Sequence, residues 1–299
     1  MALVVKTRRG SKRVAVLIPT RGRAALVAKQ LQKMPFLNQR STIYGVDVME
    51  VADYTAAFSA VGLAINCTIL PYDNAEGSVG FCREQLRRFA MRRGLHSGRG
   101  YDYFVATDDN CTFTEEALTN VVRCSAEFPT QPNLTVGCGE LMKYFLKGKE
   151  TSLPDKRVIH GITSIRRVNH IFVCVPRFVY ERFHYPSECL ASEDRYLTMW
   201  ALSNGVTEVR ECLDAVYRKP RLQPGGTGGN DERMRATGLG FAKLAHDFPV
   251  FVGCTGNISL KWSYIMKLAQ GFEFAGRLPG GGVKKEVEVA ASMVSCRKR

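Results

Sequence analysis

Two adjacent carboxylates, Asp108 and Asp109, follow directly on a short apolar stretch of the sequence. That stretch, Tyr103 to Ala106, is largely aromatic or β-branched, which is typical of a strand buried in an α/β sheet. Open α/β sheets bind ligands at the carboxyl ends of their strands. Acids with Asn110 beside them offer the oxygen ligands that Mg²⁺ or Mn²⁺ prefers, and they leave positions for phosphates. The pattern predicts a metal-diphosphate site; the alternative is that Asp108 caps a helix beginning near Thr114.

Composition places the chain among ordinary globular proteins. It has 299 residues, of which 45% are hydrophobic and 23% charged. Its ten cysteines show no Cys-x-x-Cys spacing, so we expect neither a zinc site nor a disulfide framework but reduced thiols in a cytoplasmic protein. No apolar run approaches the roughly 18 residues that a membrane span needs, and none suits a signal peptide. We therefore expect no membrane partner.

The charge balance favours a polyanionic partner. The formal net charge is +14, and each phosphate that a basic protein neutralises adds affinity for nucleic acid. A basic solvated surface adapted to acidic small substrates is the alternative. Basic segments occupy residues 1–12 and 280–299, an expected arm and tail. The candidate contacts to a nucleic-acid backbone are Arg87, Arg166, Arg167, Lys219 and Arg221, although Arg166 and Arg167 also suit a hairpin turn.

Strands alternating with helices from residue 13 to residue 110 predict a parallel, doubly wound half-domain. Its first strand ends at Pro19, which places Thr20, Arg21 and Arg23 at the carboxyl rim of the sheet, where they can hold a nucleotide. The second strand carries Asp47, which with Glu50 and Asp53 forms a set of acids that can accept a hydrogen bond from a ribose or base. In the helix expected from Phe81 to Arg93, Arg83 lies in the first turn and points a guanidinium toward the same rim.

Residues 111–279 form the expected second half. Glu193 and Asp194 open a helix that Ser192 can cap, and acids in a first turn need no further explanation than the helix dipole. The Gly-rich loop at residues 220–232 is either a linker or a lid over a bound anion. A later helix ends at His246, which as a lone histidine is typical of a surface group or of a partner for the helix dipole.

Three segments together carry a resemblance: Pro19-Thr20-Arg21-Gly22-Arg23, Gly77-Ser78-Val79-Gly80-Phe81-Cys82-Arg83, and Asp108-Asp109. They resemble the nucleotide-binding half of GT-A fold glycosyltransferases. The resemblance implies an α/β, GT-A-like (Rossmann-like), mostly parallel sheet flanked by helices, with a smaller mixed acceptor-side region. It also implies a nucleotide-sugar donor, a UDP-sugar first of all, whose diphosphate is bridged by Mn²⁺ or Mg²⁺.

The resemblance also suggests roles for individual residues. Asp109 and Asp108 would hold the cation, with Asp109 the firmer ligand because Thr107 stands where the family often has an acid. His246 would complete the metal shell. Asp194 would act as the general base on the acceptor hydroxyl, with Glu193 in support.

The basic chain and its Pro224-Gly225-Gly226-Thr227-Gly228-Gly229 loop look most like the TET/JBP-associated glycosyltransferases of bacteriophages. That likeness implies transfer of a sugar to a hydroxymethylated pyrimidine, such as 5-hydroxymethylcytosine, in double-stranded DNA, in the host cytoplasm if a phage encodes the chain. A GT-A enzyme acting on a glycan, lipid or protein is one alternative. A catalytically inactive nucleic-acid-binding module is the other.

Overall fold

The computed structural model describes most of the chain between residues 3 and 248, namely residues 3–62, 64–73, 78–96, 100–127, 133–139, 159–160, 171–187, 189, 193–206, 208–219, 240, 243–244 and 246–248. The strands are β1 (Leu3–Thr7), β2 (Gly10–Thr20), β3 (Thr42–Asp47), β4 (Thr68–Tyr72), β5 (Tyr103–Thr107), β6 (Thr112–Phe113), β7 (Asn133–Gly139), β8 (Ile159–His160), β9 (Phe172–Pro176) and β10 (Glu208–Arg218). The helices are α1 (Ala24–Lys33), α2 (Val51–Ala60), α3 (Val79–His96), α4 (Glu115–Ala126), α5 (Arg177–Arg182) and α6 (Glu193–Ser203).

Four strands form a parallel sheet in the order β4-β3-β2-β5. The chain adds β3 and β4 on one side of β2 and then places β5 on the other side. Such a reversal leaves a crevice outside the carboxyl ends of the two strands that flank it, which is where open α/β sheets bind ligands. The crevice here lies between the ends of β2 and β5, which carry Thr20 and the acid pair. The predicted α/β class, with a parallel first half, is confirmed.

The rest of the sheet is mixed. Strand β9 runs antiparallel to both β5 and β7, β10 runs parallel to β7, and β6 runs antiparallel to β10. β1 and β8 are paired at the margins, with β2 and β10. The sheet is therefore continuous across the boundary predicted at residue 110.

Helices cover both faces of the sheet because buried strand residues alternate in direction. In β2, Val14, Val16 and Ile18 pack in a core with α1, α2 and α4. Ala15 and Leu17 face the opposite core, which is built with α3, α5 and α6. Among the described residues, no helix is both long and apolar enough to cross a membrane.

Three strands were not predicted from the sequence: β1, β10 and the two-residue β6. Within the predicted basic arm, residues 3–7 form β1, which folds back on β2 through a turn in which Gly10 has a φ of 93°, a value that favours glycine. Strand β10 changes register between Cys212 and Val216. That irregularity breaks the period of two by which a strand is recognised, so the sequence showed no strand there.

The cap of α4 decides one alternative. Thr114 Oγ1 accepts a hydrogen bond from the Ala117 amide at 3.0 Å, so Thr114 is the N-cap and Asp108 is not. The Gly-rich loop at residues 220–232 and the tail at 280–299 lie outside the described residues, as do the elements expected beyond residue 249.

Candidate functional site

The acid pair lies in a tight turn between β5 and β6. The turn is closed by a hydrogen bond from the Cys111 amide to the Asp108 carbonyl at 3.2 Å, and Thr107 Oγ1 anchors the strand end by donating to the Ile171 carbonyl at 2.7 Å. The two acids differ in accessibility, because the Asp108 side chain is 26% exposed and that of Asp109 is 7% exposed. Asp108 is thus the acid that an incoming ligand can reach.

Asp109 ties the end of β2 to the end of β5. Its Oδ1 accepts from Arg23 Nη1 at 2.6 Å, and its Oδ2 accepts from Thr20 Oγ1 at 2.8 Å. Burial raises the pKa of Asp109, while Arg23 and Thr20 oppose that shift. The two acids therefore differ in exposure rather than in pairing, and their predicted order as metal ligands stays a prediction.

Tyr54 is a member of the site that sequence reasoning missed. Its hydroxyl lies 2.6 Å from Thr20 Oγ1 and accepts from the Arg23 amide at 3.3 Å, so it supports both predicted donor-binding residues from beneath. Burial raises the pKa of Tyr54 to about 12, which keeps the phenol protonated. Nothing in the sequence distinguishes it from the other apolar residues of α2.

Asp108 is held by two cations from distant parts of the chain. Its Oδ1 accepts from Arg83 Nη2 at 2.9 Å and its Oδ2 from Lys219 Nζ at 2.6 Å. Lys219 was predicted to contact nucleic acid, and that role stays a prediction; the structure places its ammonium beside the acid pair. It directly follows β10, whose last residues, Tyr217 and Arg218, pair with β6, and this pairing brings the ammonium to the acid pair.

Arg83 joins the two predicted halves of the site. Its guanidinium is 3% exposed and donates from Nε to Glu193 Oε1 at 3.0 Å as well as to Asp108. Burial by itself would lower the pKa of Arg83, but the carboxylates of Glu193 and Asp108 outweigh it and raise the pKa. The third nitrogen, Nη1, is buried and has no hydrogen-bond partner among the described residues. A buried donor left in this state is costly unless a ligand meets it.

The helix that carries Arg83 is pressed against the chain that leads to α6. The Gly80 amide donates to the Cys189 carbonyl at 3.1 Å, and a Cβ on Gly80 would lie 2.6 Å from that oxygen. Glycine is needed here for this close approach. The contact sets the distance from Arg83 to Glu193.

Glu193 and Asp194 occupy the first turn of α6, as expected. The Glu193 side chain accepts from Arg83 and so positions that guanidinium, and its support of a proton transfer stays a prediction. Asp194 is half-buried, and its Oδ1 accepts from the Arg195 amide at 2.8 Å. Asp194 directly follows Glu193, which bonds Arg83, and Arg83 in turn bonds Asp108.

Two sets of ion pairs meet at the adjacent acids, one on Asp108 and one on Asp109. We call their six charged side chains together the acid-base cluster: Asp108, Asp109, Glu193, Arg23, Arg83 and Lys219. The remaining donor-binding candidates surround it more loosely. Pro19 lies in β2 and Arg21 is exposed just beyond it, while Asp47 caps a short turn by accepting from the Met49 amide at 3.0 Å. Of the three acids that were candidates for contact with a ribose or base, Glu50 bonds the turn after β2, where it accepts from the Gly22 amide at 2.7 Å.

Arg87 is not available to a nucleic acid. It is 5% exposed, and its Nε and Nη2 donate to the two carboxylate oxygens of Glu84 at 2.8 and 2.7 Å. It also bonds the Tyr180 carbonyl, which joins α3 to α5. The predicted exposed position was wrong because residues three apart on a helix share a face, and here that face is buried.

Glu84 makes the stability of this region sensitive to pH. Burial alone would raise the pKa of Glu84, but hydrogen bonds from Arg87 and Arg88 outweigh it and lower the pKa from 4.5 to about 2. The stabilisation is therefore complete above about pH 4.5 and is lost as the pH falls toward 2. We expect Glu84→Gln to lower the free energy of unfolding by about 3 kcal/mol at pH 7. Urea unfolding should show that this difference shrinks between pH 4.5 and pH 3.

Glu181→Gln is the control, since Glu181 also pairs with an arginine, Arg177, but its side chain is 46% exposed. It should change stability by less than about 1 kcal/mol at either pH. A Glu84→Gln effect that does not vary with pH would contradict the assignment.

His246 lies in a different set of contacts. Its Nδ1 is 2.7 Å from Asp247 Oδ1, and Asp247 accepts from the Tyr196 hydroxyl at 2.6 Å. Its place in a metal shell stays a prediction, and among the described residues no group of three or more His, Cys, Asp or Glu side chains is arranged to hold a metal. Arg166, Arg167 and Arg221 lie outside the described residues.

The turn nevertheless offers donors that fit a hard cation. Asp108 is partly exposed, and the adjoining Asn110 Oδ1 is a buried oxygen with no hydrogen-bond partner in the described part of the chain. Carboxylate and amide oxygens are the ligands that Mg²⁺ and Mn²⁺ take, together with waters and phosphates. The residues present therefore fit a divalent cation that a phosphate ligand helps to bind.

No protein-family model and no curated protein matches the chain. Solved structures do. The mannosyltransferase PcManGT from Pyrobaculum calidifontis, in complex with GDP-Man and Mn²⁺, is 14% identical with a TM-score of 0.57 over 100% of this chain and 89% of that one. The glucosyl-3-phosphoglycerate synthase from Mycobacterium tuberculosis, in complex with Mn²⁺, UDP-Glc and glycerol 3-phosphate, is 12% identical with a TM-score of 0.50 over 79% and 80%. The chain therefore has the fold of the GT-A glycosyltransferases.

Proposed function

We propose that the chain is a nucleotide-sugar-dependent glycosyltransferase. The observation that carries this is Arg83. Its buried guanidinium lies at the crevice of the sheet, bonds Asp108 and Glu193, and has one nitrogen with no partner among the residues that the structure describes. Such a nitrogen suits an anionic ligand, because a charge-assisted hydrogen bond would offset its burial. The GT-A fold of the two solved glycosyltransferases, which bind GDP-Man and UDP-Glc, supports a sugar diphosphate as that ligand.

In the proposed reaction, the residues of the acid-base cluster and Asp194 have separate roles. Arg83, Arg23 and Lys219 bring positive charge to the diphosphate, which leaves with the electron pair of the bond to the anomeric carbon. A Mg²⁺ or Mn²⁺ ion held at Asp108, with Asn110 and Asp109 beside it, would supply further positive charge to that leaving group. The acceptor oxygen forms the new bond to the same carbon, and Asp194 takes its proton. A single attack of this kind inverts the anomeric configuration.

The acceptor we propose is a hydroxymethylated pyrimidine in double-stranded DNA. The net charge of +14 favours a polyanionic acceptor. The hairpin of β1 and β2 adds exposed cations at Lys6, Arg8 and Arg9. A glycan, lipid or protein acceptor on the same donor site is the alternative, and salt-insensitive binding would favour it.

Mass spectrometry of the products tests both levels of this proposal. The protein is incubated with Mn²⁺ and a panel of UDP- and GDP-sugars, with and without DNA that contains 5-hydroxymethylcytosine. We expect a hexose or pentose mass gain on the nucleoside and release of the nucleoside diphosphate. Donor hydrolysis without a mass gain on DNA would support the glycosyltransferase activity and contradict the DNA acceptor. DNA binding with no turnover of any donor would contradict the proposal that the chain is an enzyme.

A further inference from the structure

The acid-base cluster is electrically balanced before any ligand arrives. Its three carboxylates, Asp108, Asp109 and Glu193, face three cations of the chain, and each carboxylate has a cation within 3.0 Å. An acid pair that waited for a divalent cation with no other partner would carry two uncompensated negative charges. In this cluster, arginine and lysine side chains already supply part of the positive charge that a metal ion would bring.

Lys219 lies where its positive charge would be repelled by a metal ion bound to Asp108. Its Nζ lies 2.6 Å from Asp108 Oδ2, on the acid that the crevice exposes. A Mg²⁺ or Mn²⁺ ion binds a carboxylate oxygen at about 2.1 Å, so an ion on Asp108 would lie within about 5 Å of the ammonium. Two positive centres at that distance repel each other, so metal binding is favoured when the ammonium moves away.

Of the three cations in the cluster, Lys219 is the one suited to leave. Its side chain is 34% exposed, whereas those of Arg23 and Arg83 are 13% and 3% exposed. Arg83 is also fixed by its second ion pair, to Glu193. Lys219 makes one described ion pair through a flexible side chain, and its ammonium is readily hydrated when it turns away.

We propose that Lys219 is the exchangeable counter-ion of Asp108. Its ammonium holds the carboxylate in place in the metal-free site and moves off when a divalent cation binds there, after which it can meet the anionic group that the cation carries. The proposal rests on the proposed function in one respect, that a divalent cation enters with the donor. The pairing of β10 with β6 places Lys219, the residue that follows β10, beside the acid pair.

Binding of Mn²⁺ alone tests the exchange. Free Mn²⁺ is measured by electron paramagnetic resonance during titration of the full-length protein and of its Lys219→Met variant, without nucleotide. We expect the variant to bind Mn²⁺ about fivefold more tightly, since the competing ammonium is gone. Equal or weaker binding, or no binding by either protein, would overturn the proposal. Lys219→Gln provides a second form of the same test if the methionine variant folds poorly.

Lys243→Met is the matched control, because Lys243 also pairs with an aspartate, Asp247, at 3.3 Å and its side chain is 27% exposed. It should leave Mn²⁺ affinity at the wild-type value. Adding Asp108→Asn to Lys219→Met should remove the gain, since the site of competition is then absent. Sugar transfer is measured separately: the exchange without transfer would contradict the proposed function alone, and transfer with unchanged Mn²⁺ affinity would contradict this inference alone.

Discussion

Replacing Arg83 with methionine is expected to lower kcat/KM for sugar transfer by about 10³-fold, since a preorganised donor to the leaving diphosphate is lost. The same change removes the cation that Glu193 faces while leaving that carboxylate 8% exposed. Breaking one side of a buried ion pair in this way costs about 3–5 kcal/mol of stability. Thermal unfolding and steady-state kinetics on the same preparation would measure both effects.

Arg88→Met is the control on the same helix, because Arg88 pairs with Glu84 but its side chain is 51% exposed. It should change kcat/KM less than twofold. The double variant Arg83→Met with Glu193→Gln separates stability from activity, since it removes the buried charge of Glu193 along with the guanidinium. We expect it to recover much of the lost stability and none of the transfer. Recovery of transfer would show that Arg83 acts on the fold alone.

Replacing Asp194 with asparagine is expected to lower kcat for transfer by about 10²- to 10⁴-fold, the usual range for loss of a general base. The donor should bind as before, because in the proposed function the diphosphate meets the acid-base cluster, to which Asp194 does not belong. Calorimetric titration with UDP and GDP in the presence of Mn²⁺ would measure donor binding. The amide keeps a hydrogen-bond acceptor for the Arg195 amide, so the first turn of α6 should stay intact.

Asp214→Asn serves as the control for charge, since Asp214 is exposed in β10 and takes no part in the acid-base cluster. It should leave kcat unchanged. A parallel loss of donor affinity and transfer in Asp194→Asn would assign Asp194 to the donor site. Unchanged transfer would remove it from the mechanism.

The effects of Arg83→Met and Asp194→Asn together test whether the end of β5 and the first turn of α6 act together. Arg83 is the one described side chain that bonds both the acid at the end of β5 and the first residue of α6. The close approach of Gly80 to Cys189 also holds the first turn of α3, which carries Arg83, against the chain that leads to α6. In the proposed function, these contacts would orient the donor-binding residues relative to Asp194, as attack by a nucleophile requires.

Local patterns in the sequence were enough to find the parallel half of the fold. Its strands are short, apolar and evenly separated by helices, so their period and length identify them without knowledge of neighbours. The acids at the end of β5 and the turn at Thr20 followed from the same patterns, since the carboxyl ends of parallel strands meet at one rim. The first turn of α6 was also evident, because Glu193 and Asp194 precede an apolar stripe.

Partners distant in sequence were decided by tertiary structure. Arg83 and Arg87 are four residues apart and alike in sequence, yet one lies in the site and the other pairs with Glu84 beneath it. Lys219 reaches Asp108 across 111 positions of sequence because β10 pairs with β6. The sequence by itself determined which residues lie at the rim of the sheet. Which charges neutralise one another depends on long-range strand pairing and helix packing, which no local period encodes.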